Sequence, residues 1–129
     1  MNKSHENSYA LYLLTDELIH IIYKRDHLID LEAAQIIVRD RMMVQEGLTM
    51  PVLCDIREVR MVTKPARDYL AVEGSLLVKA LAFFIDPPVT DVISSFYLGT
   101  HLLSFPTASF TDKDEAISFL RESIESPDP

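Results

Sequence analysis

The sequence contains little of what covalent cross-links and phosphate-binding loops require. One cysteine, Cys54, stands among 129 residues, which excludes a disulfide within the chain. The three glycines, Gly47, Gly74 and Gly99, each close a predicted helix. A glycine-rich phosphate loop needs several glycines within a few residues, and neither a P-loop, a dinucleotide-binding motif nor a nucleophile elbow is present. We therefore expect no bound cofactor and no catalytic site of these classes.

Cationic residues and long apolar runs are scarce as well. Twelve Lys and Arg stand against 20 Asp and Glu, which gives a formal net charge of −8 and a pI of about 4.8. Such a surface repels phosphate backbones and anionic lipids, so we expect no nucleic-acid partner and no membrane-surface binding. No run approaches the roughly 20 apolar residues that span a bilayer, and the polar start MNKSHENSYA has no apolar signal segment. These features predict a cytoplasmic protein.

The residues that are present predict one folded domain. Hydrophobic residues make up 48% of the chain and charged residues 25%, which is ordinary for a globular protein. The polar residues 1–8 predict a flexible N-terminus, residues 9–124 the domain, and residues 125–129 a flexible tail. Cys54 lies in the apolar run PVLCDI, so we expect a buried thiol that is not reactive.

Strand and helix patterns alternate along the domain. Strands are predicted at 9–14, 17–24, 51–56, 78–86 and 102–110, and helices at 30–47, 63–74, 86–99 and 111–124. Asp30, Thr63 and Thr111 are the predicted N-caps, with Asp114 completing a capping box after Thr111. Because strands alternate with helices, the sheet is predicted to be mixed and mostly parallel, with about five strands. Pro106 places the last strand at an edge.

The first predicted helix has an apolar arc and two apolar residues outside it. The arc consists of Leu31, Ala34, Ile37, Val38, Met42 and Val44. Arg41 falls inside this arc, where we expect its stem to pack and its charged head to reach solvent. Ile36 and Met43 lie outside the arc, one heptad apart. They are either isolated exposed side chains or an interface for a partner or a second copy of the chain.

The order of elements resembles the STAS/SpoIIAA-like fold of bacterial anti-anti-sigma factors. The segment FPTASFTDKDEAISFL, residues 105–120, is similar to the closing segment of small SpoIIAA-like (STAS/SEC14-type) proteins, and DPPVTDVISSFYLG, residues 86–99, to the helix before it. The resemblance covers about residues 9–124. It implies an α/β domain with the order β-β-α-β-α-β-α-β-α.

The resemblance also implies a regulatory serine at the start of the second helix. Here that stretch falls on residues 63–66, which read TKPA, and neither serine position holds a hydroxyl. We therefore expect a non-catalytic regulatory or scaffolding module that binds a protein partner without the phosphorylation switch. By analogy, its contact surface is the loop that follows the third strand. The residues predicted for this loop are Asp55, Glu58, Thr63, Lys64 and Arg67.

Other functional interpretations stay open. A carrier of a small apolar or lipid-like ligand predicts an internal pocket lined by Phe84, Phe96 and Phe110. A weak metal-dependent phosphate enzyme predicts Mg²⁺ at Asp55 and Asp86, which end parallel strands, although strand-end aspartates also commonly cap helices and turns. Lys64 and Arg67 either attract a phosphate or form ordinary surface pairs. The four histidines, His5, His20, His27 and His101, lack metal-ligand spacing, so no metal is expected from them.

Overall fold

The computed structural model describes residues 2–25, 28–86 and 105–125 of the chain. The helices are α1 (Leu31–Gln45), α2 (Lys64–Val72) and α3 (Lys113–Glu125), and a 3₁₀ turn, Glu73–Ser75, follows α2. The strands are β1 (Lys3–Glu6), β2 (Ala10–Leu14), β3 (Ile19–Tyr23), β4 (Leu28–Ile29), β5 (Met50–Asp55), β6 (Met61–Val62), β7 (Val78–Phe84) and β8 (Thr107–Phe110). The helix predicted at 86–99 lies outside the described residues, apart from its first residue.

A six-stranded sheet in the order β1-β2-β3-β5-β7-β8 forms the centre of the described structure. The pairs β1–β2 and β2–β3 are antiparallel, and β3–β5, β5–β7 and β7–β8 are parallel. Strands β4 and β6 pair separately as a short parallel ladder. The predicted mixed, mostly parallel sheet is confirmed. Among the described strands, β8 lies at an edge and begins directly after Pro106, as expected for a residue without a backbone N–H.

Helices lie on both faces of this sheet. On one face, Ile19, Ile21 and Tyr23 of β3 pack in a core with the buried faces of α1 and α2. On the other face, Leu18 and Leu53 pack against Ala116 and Leu120 of α3. Successive residues of β3 therefore alternate between the two faces of the sheet. All residues of β5 are buried, because the strand lies between two neighbours and under helices on both sides.

The predicted ends of α1 are confirmed. The Asp30 side chain accepts a hydrogen bond from the Ala33 N–H at 2.9 Å. The helix ends in two left-handed residues, Glu46 at φ 50° and Gly47 at φ 82°. The predicted arc is correct at its centre and wrong at its start. Leu31 is 40% exposed and Ala33 is fully buried instead, so the first turn of α1 presents a different side to the core than the predicted arc.

The prediction that the guanidinium of Arg41 reaches solvent is wrong. Its side chain is only 3% exposed. The guanidinium donates hydrogen bonds to the Gln45 side chain and to the carbonyl oxygens of Gly74 at 3.2 Å and Leu76 at 2.9 Å. Gln45 in turn donates to the carbonyl oxygens of Leu48 and Leu77, both at 2.9 Å. The buried cation thus joins α1 to the loops that precede β5 and β7.

The predicted flexible N-terminus is wrong for residues 3–6, which form β1. Each of these residues pairs with β2. Two side chains secure the strand to α1: His5 Nε2 lies 2.9 Å and Asn7 Nδ2 lies 2.8 Å from the same carboxylate oxygen of Asp40. Asn7 also accepts the N–H groups of Tyr9 and Ala10, which turns the chain into β2. Polar side chains of this segment therefore find partners that are distant in sequence.

The start of α3 also differs from the prediction. Asp112, and not Thr111, holds the N-cap position: its side chain accepts the Asp114 N–H at 2.8 Å, and its carbonyl accepts the Ala116 N–H at 3.2 Å. The N-cap lies one residue later than predicted, because β8 ends at Phe110 and the connection to α3 needs both Thr111 and Asp112. Helix α3 continues to Glu125.

Candidate partner-binding loop

The loop between β5 and α2 is fixed to the domain at several points. Ile56 and Val59 are buried, the Ile56 N–H donates to Phe84 O at 3.1 Å, and the Val59 N–H donates to Ile56 O at 3.1 Å. The Thr63 N–H then donates to Ile29 O at 3.0 Å. The residues between these anchors therefore protrude from a fixed backbone, at the edge where the parallel strands end.

Asp55 belongs to the interior of the loop and not to its surface. Its side chain is 6% exposed, and its two oxygens accept Arg57 Nε at 3.0 Å and Arg57 Nη2 at 2.8 Å. The Arg57 guanidinium also lies 4.1 Å from the centre of the Phe84 ring. The hydrogen bond to Asp55 raises the pKa of Arg57, and the charge of Asp86 adds to this shift. The pair closes the loop against β7.

Thr63 has the N-cap role that the sequence predicts. Its hydroxyl oxygen accepts the Ala66 N–H at 3.3 Å. The first residue of the segment that aligns with the regulatory stretch therefore caps the N-terminus of α2. The other predicted loop residues form ordinary pairs. Lys64 Nζ lies 2.9 Å from Asp68, and Glu58 lies 3.3 Å from Arg25 Nε, all with exposed side chains. Arg67 is half-buried.

An exposed apolar pair beside this loop was missed by sequence reasoning. Met61 of β6 is 59% exposed and faces Leu28 of β4, which is 48% exposed, in direct register. Neighbouring Leu31 is 40% exposed. A ladder of two residues per strand has no measurable periodicity, so the sequence offered no signal that these side chains meet. We call Leu28 and Met61 the exposed pair.

The predicted interface on α1 does not adjoin the loop. Ile36 is half-buried, and Met43 is 52% exposed. Met43 lies twelve residues beyond Leu31, which corresponds to about 18 Å along the helix axis. Met43 therefore belongs to the other end of the sheet, and only the N-terminal end of α1 lies near the exposed pair.

The predicted aromatic pocket is partly filled by α3. Phe84 and Phe110 are register partners on β7 and β8, and both are half-buried. The Phe110 ring lies 5.3 Å from the ring of Phe119, which occupies space that a ligand would need. Phe96 lies outside the described residues.

At Asp55, where the sequence predicted a metal ion, the carboxylate is paired with the guanidinium of Arg57 instead. Arg57 occupies both oxygens of Asp55, while Asp86 is exposed. Within the described part of the chain, no group of three His, Cys, Asp or Glu side chains could hold a metal ion. His5 is bonded to Asp40, and His27 and His101 lie outside the described residues. Burial raises the pKa of Cys54 to about 12, as expected for a core thiol.

His20 has an environment that the sequence did not reveal. It is 8% exposed on β3, and its Nε2 atom has no hydrogen-bond partner in the described structure. Burial, together with the charge of Lys113, lowers the pKa of His20 to about 4. A neutral imidazole with an unsatisfied ring nitrogen therefore lies on the face of the sheet that α3 partly covers.

Comparison with known proteins identifies the family and the fold of the chain but not its activity. The family described as a domain of unknown function, DUF7793, matches residues 12–124. The crystal structure of an uncharacterized protein of the DUF3478 family from Shewanella loihica PV-4, which has a SpoIIAA-like fold, superimposes with a TM-score of 0.58. The two chains are 13% identical, and the similarity covers 93% of this chain and 92% of the other. No curated protein matches the sequence. Of the helices among residues 2–25, 28–86 and 105–125, none has the length and apolar character to cross a membrane.

Proposed function

Because the chain belongs to the DUF7793 family and has a SpoIIAA-like fold, we propose that it is a non-catalytic regulatory or scaffolding module that binds a protein partner. In this proposal it acts in the cytoplasm, and its contact surface is the loop from Asp55 to Arg67 together with the exposed pair. A second copy of the chain is an alternative partner, through Ile36 and Met43.

The observation that supports this proposal most is the exposed pair beside a fixed loop. Two large apolar side chains, at 48% and 59% exposure, lie in register on neighbouring strands, with charged residues such as Glu58 and Lys64 nearby. An apolar centre with a polar rim is typical of protein interfaces. Ile56, Val59 and the Asp55–Arg57 pair hold the backbone, so binding would not require the loop to become ordered, which lowers its entropic cost.

The loop also supports a role without phosphorylation. The hydroxyl oxygen of Thr63 accepts a backbone N–H, and the two positions that align with the regulatory serines are Lys64 and Pro65, which carry no hydroxyl. Regulation of this module would then depend on the concentration of its partner and not on a covalent switch at this position.

A quantitative pull-down from cells of the source organism tests the proposal. We expect a partner that the wild-type chain retains and that Met61→Asp retains about tenfold less, because a charge at the centre of an apolar contact costs more than 1.4 kcal/mol. Leu48→Asp is the matched control, since Leu48 is 63% exposed at the opposite end of the sheet. A Thr63→Ala, Lys64→Ala double variant probes the other side of the loop.

The control measurements separate the alternatives. Each variant is first compared with the wild type by thermal unfolding, so that loss of partner is not confused with loss of fold. Equal recovery of every partner by wild type, Met61→Asp and the double variant would show that this loop is not the docking surface. If Met43→Asp instead converts a dimer into a monomer in light scattering, the self-association alternative gains support.

A further inference from the structure

The sheet face next to α3 carries a row of half-buried aliphatic side chains beside His20. In the register of β2, β3 and β5, Leu11 faces Ile22, and Leu13 faces His20. Leu11, Leu13 and Ile22 are half-buried, whereas His20 is 8% exposed. Among the described helices, α3 packs mainly on β5, β7 and β8, and α1 and α2 pack on the opposite face. The row therefore lies beside α3 and not under it.

An unsatisfied nitrogen at this position is a cost that a ligand would remove. A buried polar atom without a hydrogen-bond partner destabilises a fold by about 1–3 kcal/mol. Nε2 of His20 has no such partner in the described structure, although the strand could hold a leucine there with no such cost. A ligand atom that donates to or accepts from Nε2 would satisfy it, while an aliphatic body would cover the neighbouring leucines.

The charges around His20 select an uncharged ligand. Lys113 and Arg57 are the nearby cations, and Asp55 is the nearby anion, already paired with Arg57. Apart from this pair, the charge that acts on the ring is that of Lys113, whose side chain is exposed to solvent. The imidazole itself is neutral, so within the described structure no buried cation faces the site to hold a carboxylate or a phosphate. Because a hydroxyl both donates and accepts, it suits either tautomer of a neutral imidazole.

We propose that this face binds a small uncharged amphipathic molecule, with an aliphatic body on Leu11, Leu13 and Ile22 and a hydroxyl at His20 Nε2. The inference goes beyond partner binding and uses other residues than the loop. If the chain carries a ligand, this proposal places the binding site on β2 and β3 and not at the predicted aromatic pocket. The proposed site contains no residue between 87 and 104.

The experiment titrates the full chain with three probes while the His20 ring and the methyl groups of Leu11, Leu13 and Ile22 are observed by NMR. 1-Octanol carries both parts of the proposed ligand, octanoate has a charged head, and ethanol lacks the chain. We expect saturable shifts of the ring and the methyl groups with octanol. Octanoate should bind at least about tenfold more weakly, and ethanol should shift neither group.

Two variants test the placement of the head and the body. His20→Leu should keep the methyl shifts but weaken octanol binding by about tenfold, as expected for one lost hydrogen bond. Ile22→Ala should weaken binding with the His20 ring still able to respond. Met61→Asp should leave octanol binding unchanged, so failure of the loop proposal and failure of this one are distinguishable. Absence of saturable shifts, equal binding of octanoate, or an unaffected affinity in His20→Leu would each overturn the proposal.

Discussion

The buried imidazole of His20 predicts a specific loss of stability in acid. Burial holds its pKa at about 4 in the folded protein, whereas an exposed histidine in an unfolded chain has a pKa of about 6.5. At pH values between these two pKa values, His20 is mostly protonated in the unfolded chain and mostly neutral in the folded chain. The contribution of His20 to stability is therefore fully present above pH 6.5 and is lost as the pH falls towards 4.

The size of the loss follows from the two pKa values. At about 1.4 kcal/mol per pH unit, the difference between about 6.5 and about 4 corresponds to about 3 kcal/mol in total, of which about 2 kcal/mol is lost by pH 5. This is a large part of the stability of an ordinary domain. Lys113 lowers the pKa of His20, so Lys113→Met should make the loss smaller.

Urea unfolding followed by circular dichroism at pH 7, 6 and 5 measures this effect. The free energy of unfolding of His20→Leu is subtracted from that of the wild type at each pH, which removes the contribution of the other titrating groups. We expect His20→Leu to be at least as stable as the wild type at pH 7. The stability of the variant relative to the wild type should then be about 2 kcal/mol greater at pH 5 than at pH 7. If the two proteins lose stability in parallel over this range, the reasoning from burial is refuted.

Three further predictions concern positions where the structure assigns a clear role. Arg41→Met should lower the free energy of unfolding by about 3 kcal/mol or more, because it leaves buried hydrogen-bond acceptors unsatisfied, whereas the exposed Arg39→Met should change it by less than about 0.5 kcal/mol in urea titrations. Asp112→Ala should cost about 1 kcal/mol by thermal unfolding and Thr111→Ala almost nothing; the reverse order would restore the predicted capping box. Iodoacetamide at pH 8 should leave Cys54 unmodified in the folded chain and alkylate it in urea, as mass spectrometry would show; rapid labelling of the folded chain would contradict the burial of its thiol.

Local patterns were sufficient for most of the fold. Asp30 and Thr63 cap the helices that the sequence predicts, because a side-chain oxygen at that position reaches a backbone N–H within the same turn. The alternation in β3 and the continuous apolar run of β5 are likewise properties of neighbouring residues. They indicate which faces are buried before any partner strand is known.

The candidate site was predicted less completely. Thr63 and Lys64 lie where the sequence placed them, at the start of α2. Asp55 also lies at the carboxyl edge, but its burial with Arg57 depends on the Phe84 ring of a strand far along the chain. The exposed pair arises only when β4 and β6 meet, and nothing within either short segment signals the other.

The sequence by itself determined the helices α1, α2 and α3, the central strands, the α/β class and the family resemblance, since these depend on periodicity and on caps within a few residues. The tertiary structure decided the remaining features: the pairing of β1, the burial of the Arg41 head, the unsatisfied nitrogen of His20 and the contact of Leu28 with Met61. Each of these depends on groups brought together across many residues of chain, and the free energy of such a contact is set by burial and by partners that only the assembled fold supplies.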